Sequence, residues 1–286
     1  MNTLNKPILE PVFVKQIAIP QDHGSWVFLL SPLLIGIFAA PHFSVATLYL
    51  ILVSLSVFLL RQPITIATKA IHGRRTQREL PIARFWILIY GLAGLLSYIG
   101  LIIEGYGYIG YLGFLGIPVF VWYLYLVSKR SERRQIRMEI LACGVFALSA
   151  PAAYWVGMGQ SDLNLALLST GGLLFLLTWF QSAASIVHAY LRLEQRELKI
   201  IPNMAMRIRM GKRAFLYTSF NLLTVLLLSA EKIVPALLPL PYLLQWLETI
   251  WCIIKPAINL KPTRIGIQQL IVSTIFTITF IITWNL

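Results

Sequence analysis

Runs of about 20 residues without a charged side chain recur along the chain, and they restrict its fold more than any other feature. Such a run can cross hydrocarbon only as a helix, because every backbone N–H and C=O must then find its partner inside the segment. Read between charges, Pro and Gly, the runs predict nine spans at about 24–40, 43–60, 85–103, 106–128, 138–158, 164–190, 214–230, 233–254 and 266–284. The expected fold is therefore an all-α, polytopic membrane helix bundle, with residues 1–286 as a single integral membrane domain. A composition of 58% hydrophobic and 12% charged residues agrees with that reading. The eighth span is the least regular, since Pro235, Pro239 and Pro241 interrupt its first half and Gln245 and Glu248 its second. The first twenty residues contain Glu10 and Lys15 and no apolar core, so no cleavable signal peptide is expected.

A net charge of +13 raises the question of nucleic acid, and the placement of the charges answers it. Nine spans with a cytoplasmic N-terminus put loops 61–84, 129–137, 191–213 and 255–265 inside, and of the 24 Lys and Arg only Lys232 falls outside. That is the asymmetry by which membrane proteins orient themselves, so membrane lipids rather than nucleic acid are the expected partner. The expected location is a bacterial inner membrane or a thylakoid. The outer loops are short, which excludes a large external receptor site. Cys143 and Cys252 lie in apolar runs without CxxC or Cys/His spacing, so they read as buried thiols; no metal ligand is expected, and the cofactor is left open.

Polar chemistry gathers at two inner mouths. The stretch from Arg61 to Pro81 follows the second span and carries Arg61, Gln62, Lys69, His72, Arg74, Arg75 and Arg78 against the single acid Glu79. Positive-inside topology accounts for part of this. Guanidinium forks and a compact ammonium are also what a phosphate or diphosphate needs, so Arg61, Gln62, Lys69, Arg75 and Arg78 are candidate substrate contacts. Lys129 and Arg130, following Tyr123 and Tyr125, either anchor the interface or close the same anionic pocket. At the second mouth Gln181, Ser185 and His188 recur at i, i+4 and i+7, which sets them on one helix face turned towards other helices or a watery cavity. Gln181 joins the candidate contacts, and His188 is a candidate base. His23, at the start of the first span beside Asp22, is the other candidate base; a helix-boundary histidine serves equally as a structural residue. Glu194 and Glu197 stand among Arg192, Arg196 and Lys199 and read as local ion pairs. Glu248 is an intramembrane acid and so a functional candidate of its own.

Two resemblances follow from these residues. Pro20-Gln-Asp-His-Gly-Ser-Trp26, running into an apolar helix, together with Leu60-Arg-Gln-Pro63, resembles the YwiC-like membrane proteins of bacteria, a likeness that brings no activity with it. The nine-span plan with mouths after spans two and six is similar to the UbiA superfamily of intramembrane prenyltransferases. Arg78-Glu-Leu-Pro81 resembles that superfamily's Arg-Pro-Leu-Pro segment, and Tyr125-Leu-Val-Ser-Lys-Arg130 its Tyr-Pro-x-x-Lys-Arg segment. The likeness implies an isoprenoid diphosphate substrate held through magnesium by two aspartate-rich motifs. Here Gln62, Thr65 and Lys69 stand where the first motif's aspartates would be, and the second has none. Magnesium requires hard carboxylate oxygens, so metal-assisted ionisation loses its support.

The reading that results is a UbiA-like, cytoplasm-facing cavity for an isoprenoid diphosphate or other anionic lipid. Any chemistry there would be group transfer, with basic side chains taking over the charge stabilisation that metal supplies. A small-molecule or ion transporter using Gln181, His188 and Glu248, and a noncatalytic membrane assembly factor, are the alternatives.

Overall fold

The computed structural model describes residues 14–20, 23–131, 135–159 and 164–286, and among these every regular element is helical. A short α1 (Lys15–Ala18) precedes α2 (His23–Ala39), α3 (Val45–Ile71), α4 (Glu79–Ile103) and α5 (Gly110–Ser128). Then come α6 (Ile136–Ala147), α7 (Ser149–Gly157), α8 (Leu165–Arg196), α9 (Met204–Ala230), α10 (Pro239–Ile254) and α11 (Pro262–Trp284). Among the described residues, seven segments are long and apolar enough to cross a membrane, with α6 and α7 forming one of them, while Gly24–Ala39 is apolar but shorter. The chain is an integral membrane helix bundle.

Several helices run beyond the ends that charge and proline suggest. The stretch expected as a loop from Arg61 is helical as far as Ile71, and α4 already begins at Glu79. Pro63 is accommodated inside α3, and the Thr65 and Thr68 hydroxyls donate back to the carbonyls of Arg61 and Ile64. The loop thus shrinks to residues 72–78. In the same way α8 continues to Arg196, which carries Arg192 and Gln195 on one rigid rod with His188. Charged residues end the apolar run but are good helix formers, so hydropathy marks the edge of the lipid rather than the end of the helix.

Two breaks have identifiable causes. The fifth apolar segment splits at Leu148 because Pro151 has no N–H to donate to the carbonyl of Ala147. The prolines of the eighth segment delay α10 until Pro239, where the ring is tolerated in a first turn.

Burial separates centre from periphery. The α6–α7 segment and α8 are mostly buried, whereas α4, α5 and α9 expose most of their apolar surface, as lipid-facing helices do. One core joins Ile35 of α2, Ala150 of α7, Leu174 and Leu177 of α8, Val225 of α9, Tyr242 of α10 and Phe276 and Phe280 of α11. A second joins α2, α3, α4 and α7 through Leu33, Leu50, Leu101 and Ala153. Lipid tails are as apolar as Leu, so close approach and interhelical polar bonds carry much of the specificity. At Gly36, α2 lies so near α7 that a Cβ would collide with the Ala150 carbonyl. Ser31 and Thr277 hydrogen-bond between α2 and α11.

Candidate functional site

The basic mouth is built by α3, α4 and the end of α5. The Arg74 guanidinium donates to the carbonyl of Val127, which ties the turn after α3 to the last turn of α5. Arg75, Arg78, Lys129 and Arg130 are thereby gathered at one end of the bundle, all four exposed. Arg75 pairs with Glu79 one turn on, at 3.1 Å. Arg78 stands at the N-cap of α4, and Lys129 lies over the Tyr125 ring at 5.9 Å. Arg130 adopts a left-handed backbone (φ 61°) that turns the chain out of α5.

The helical residues of this mouth have other engagements. Arg61 sits over the rings of Phe58 and Phe146, each at 5.9 Å, so its charge is held against aromatic faces where α3 meets α6. The Gln62 side chain donates to the carbonyl of Gln16 at 2.9 Å and fastens α1 to α3. Lys69 occupies the last turn of α3, half-buried, where its charge complements the helix dipole. His23 opens α2, and its side chain lies outside the described residues.

The second polar centre is internal. Along one face of α8 run Gln181, Ser182, Ser185, His188, Arg192 and Gln195, all buried, and α10 and α11 answer them with Gln245, Glu248, Cys252, Gln268 and Gln269. Gln245 donates to the backbone carbonyl of Gln181 at 3.1 Å, and Gln269 to that of Ser185 at 2.6 Å. One turn further, His188 Nδ1 stands 3.7 Å from Glu248 Oε2. Gln268 donates to Glu248 Oε1 at 3.1 Å and reaches Cys252 Sγ at 3.7 Å. His188 Nε2, Arg192 Nε and Gln245 Oε1 are buried without a hydrogen-bond partner among the described residues.

Below this lies a cap for the C-terminal end of α10. Gln195 donates to the carbonyl of Cys252 and accepts from the amide of Ala257, and Arg192 donates to Gln195 and to the carbonyl of Lys255. Arg207 of α9 takes the carbonyl of Ile254. A helix that ends inside protein must find partners for its last carbonyls, and here three side chains supply them.

The two mouths are tied to different neighbours: the Gln62 side chain to α1, and the Gln181 backbone to α10. The helix α2 packs against both α3 and α8, and α6 packs against α8. The sequence singles out Glu248, whereas the place of Cys252, Gln268 and Arg192 around it appears only in the structure. The four-residue spacing of Glu248 and Cys252 was the signal available, since it sets both on one face of a helix.

Comparison with known proteins is consistent with the first resemblance. Residues 19–154 match the family described as YwiC-like protein, a region that runs through the basic mouth and stops before α8. No curated protein matches the chain, and no solved structure does. The UbiA likeness thus rests on the quoted residues alone.

Proposed function

Starting from the YwiC-like match over residues 19–154, we propose that this is a nine-span, N-inside membrane protein that binds a phosphate-bearing lipid at the basic mouth. The observation that carries the reading is the Arg74 to Val127 bond, because it brings cations from two separate loops to one surface. Arg78, Lys129 and Arg130 are exposed there, in a position to meet phosphate oxygens at a membrane face. A diphosphate of an isoprenoid and the headgroup of an anionic phospholipid offer the same oxygens. Group transfer would need a base beside that phosphate; His188 stands instead against Glu248 of α10, and the His23 side chain lies outside the described residues. Binding is therefore the part of the reading that the geometry favours.

Native mass spectrometry of protein extracted from its own membrane tests the reading, comparing wild type with Arg78→Ala/Lys129→Ala/Arg130→Ala. A basic group near an anionic surface contributes about 1 kcal/mol, so three deletions should weaken retention of the lipid roughly a hundred-fold. Adding a prenyl diphosphate or phosphatidylglycerol to delipidated protein separates the two sources. Equal lipid retention by both forms would overturn the proposal, and the buried polar line on α8 and α10 would then favour a transport path.

A further inference from the structure

Glu248 and Cys252 stand one turn apart on α10 and His188 comes from α8, 60 residues earlier, yet one ligand atom from each lies within 4.8 Å of the others. We propose that these three side chains form a binding site for one divalent ion of the zinc class, between α8 and α10 and beneath Gln268 of α11. The site lies outside the YwiC-like region and is independent of the lipid reading.

The donors decide the class of ion. One imidazole nitrogen, one thiolate and one carboxylate suit zinc or cobalt, whereas magnesium and calcium take oxygen alone. Bonds of about 2.0–2.3 Å in a tetrahedron set neighbouring ligand atoms roughly 3.3–3.8 Å apart. The 3.7 Å between His188 Nδ1 and Glu248 Oε2 is within a few tenths of an ångström of a nitrogen–oxygen edge, and with the Cys252 sulfur inside 4.8 Å of both, the three donors need only draw together by about 1 Å.

Two further observations point to a ligand. His188 is only 3% exposed, yet its ring makes no hydrogen bond among the described residues. Nδ1 stands at 3.7 Å from the carboxylate, longer than such a bond, and Nε2 has no partner among the described residues. Coordination through Nδ1 gives that nitrogen the partner it lacks and fixes the ring tautomer, with the proton on Nε2. Gln268, meanwhile, directs its amide at both anionic donors, which orients them as supporting groups orient metal ligands elsewhere.

The Arg192 guanidinium is the group that opposes a cation here, since its charge acts on all three donors. It is drawn towards Gln195 and the Lys255 carbonyl. A dication bound by a carboxylate and a thiolate is neutral as a unit, so Arg192 then faces no net charge. Binding releases the Cys252 thiol proton to solvent, and the fourth coordination position is left to water or to the Gln268 amide oxygen after a flip.

Cobalt(II) titration of the purified, detergent-solubilised full chain, followed by its absorption spectrum and by zinc displacement, tests the site. One equivalent should bind with a sulfur-to-cobalt charge-transfer band, lost in Cys252→Ser and kept in Cys143→Ser. His188→Gln and Glu248→Gln should each abolish stoichiometric uptake, and Gln268→Leu should weaken it about 10–100-fold. Cys252→His guards against a variant that fails to fold: it should still take cobalt in tetrahedral geometry, without the charge-transfer band. No saturable uptake by wild type, or a band indifferent to Cys252→Ser, would overturn the proposal.

Discussion

Gln195 shows how much a single buried side chain can hold. It is 1% exposed and satisfies three groups at once: the Arg192 guanidinium, the Ala257 amide and the Cys252 carbonyl. Gln195→Leu fills the same space and removes every one of those bonds. Each buried polar group left without a partner costs about 1–3 kcal/mol, so a clear fall in the thermal unfolding midpoint in detergent is expected. An unchanged midpoint would mean that water replaces the glutamine. This role was not legible from the chain, where Gln195 reads as one more polar residue in a basic loop. The polar face of Gln181, Ser185 and His188 was legible, because helical periodicity alone sets them in line. The partners of that face were not, because they lie more than 50 residues away in sequence, as Gln181 and Gln245 do at a separation of 64.

At the scale of the element, a close backbone contact between two helices makes a sharp prediction. Gly36 of α2 meets the backbone of Ala150, which cannot rotate away as a flexible side chain would. Gly36→Val should therefore force α2 off α7 at a cost of about 1–3 kcal/mol, read as a lowered unfolding midpoint in detergent. Gly24→Ala is the matched control, since a Cβ there meets nothing within 4 Å. Helix existence was readable in the sequence, and helix length was not. Apolar runs end at the first arginine, while backbone hydrogen bonding continues through Arg61 to Ile71 and through Arg192 to Arg196. The correction matters for function, since Arg61, Gln62 and Lys69 stand on a rigid helix and not in an adaptable loop.

For the whole molecule, the proposed orientation is the property most open to a direct test. In a Cys143→Ala/Cys252→Ala background, Lys232→Cys should label with a membrane-impermeant maleimide added outside intact cells. Arg130→Cys should label only after the membrane is opened. Labelling of both from the same side would remove the nine-span, N-inside plan and with it the cytoplasmic place of the basic mouth.

By itself the sequence determined that this is an all-helical membrane bundle, roughly where its helices lie and which loops carry the positive charge. Those properties follow from local causes: twenty apolar residues must be helical in lipid, and charge near a span biases its insertion. Only the tertiary structure decided which polar residues meet. It joined the turn after α3 to the end of α5 through Arg74, separated the partners of Gln62 from those of Gln181, and set His188 beside Glu248 and Cys252. Such meetings depend on how α8, α10 and α11 pack, and packing within lipid is fixed by close approach and by polar bonds between residues far apart in the chain, which no local pattern encodes.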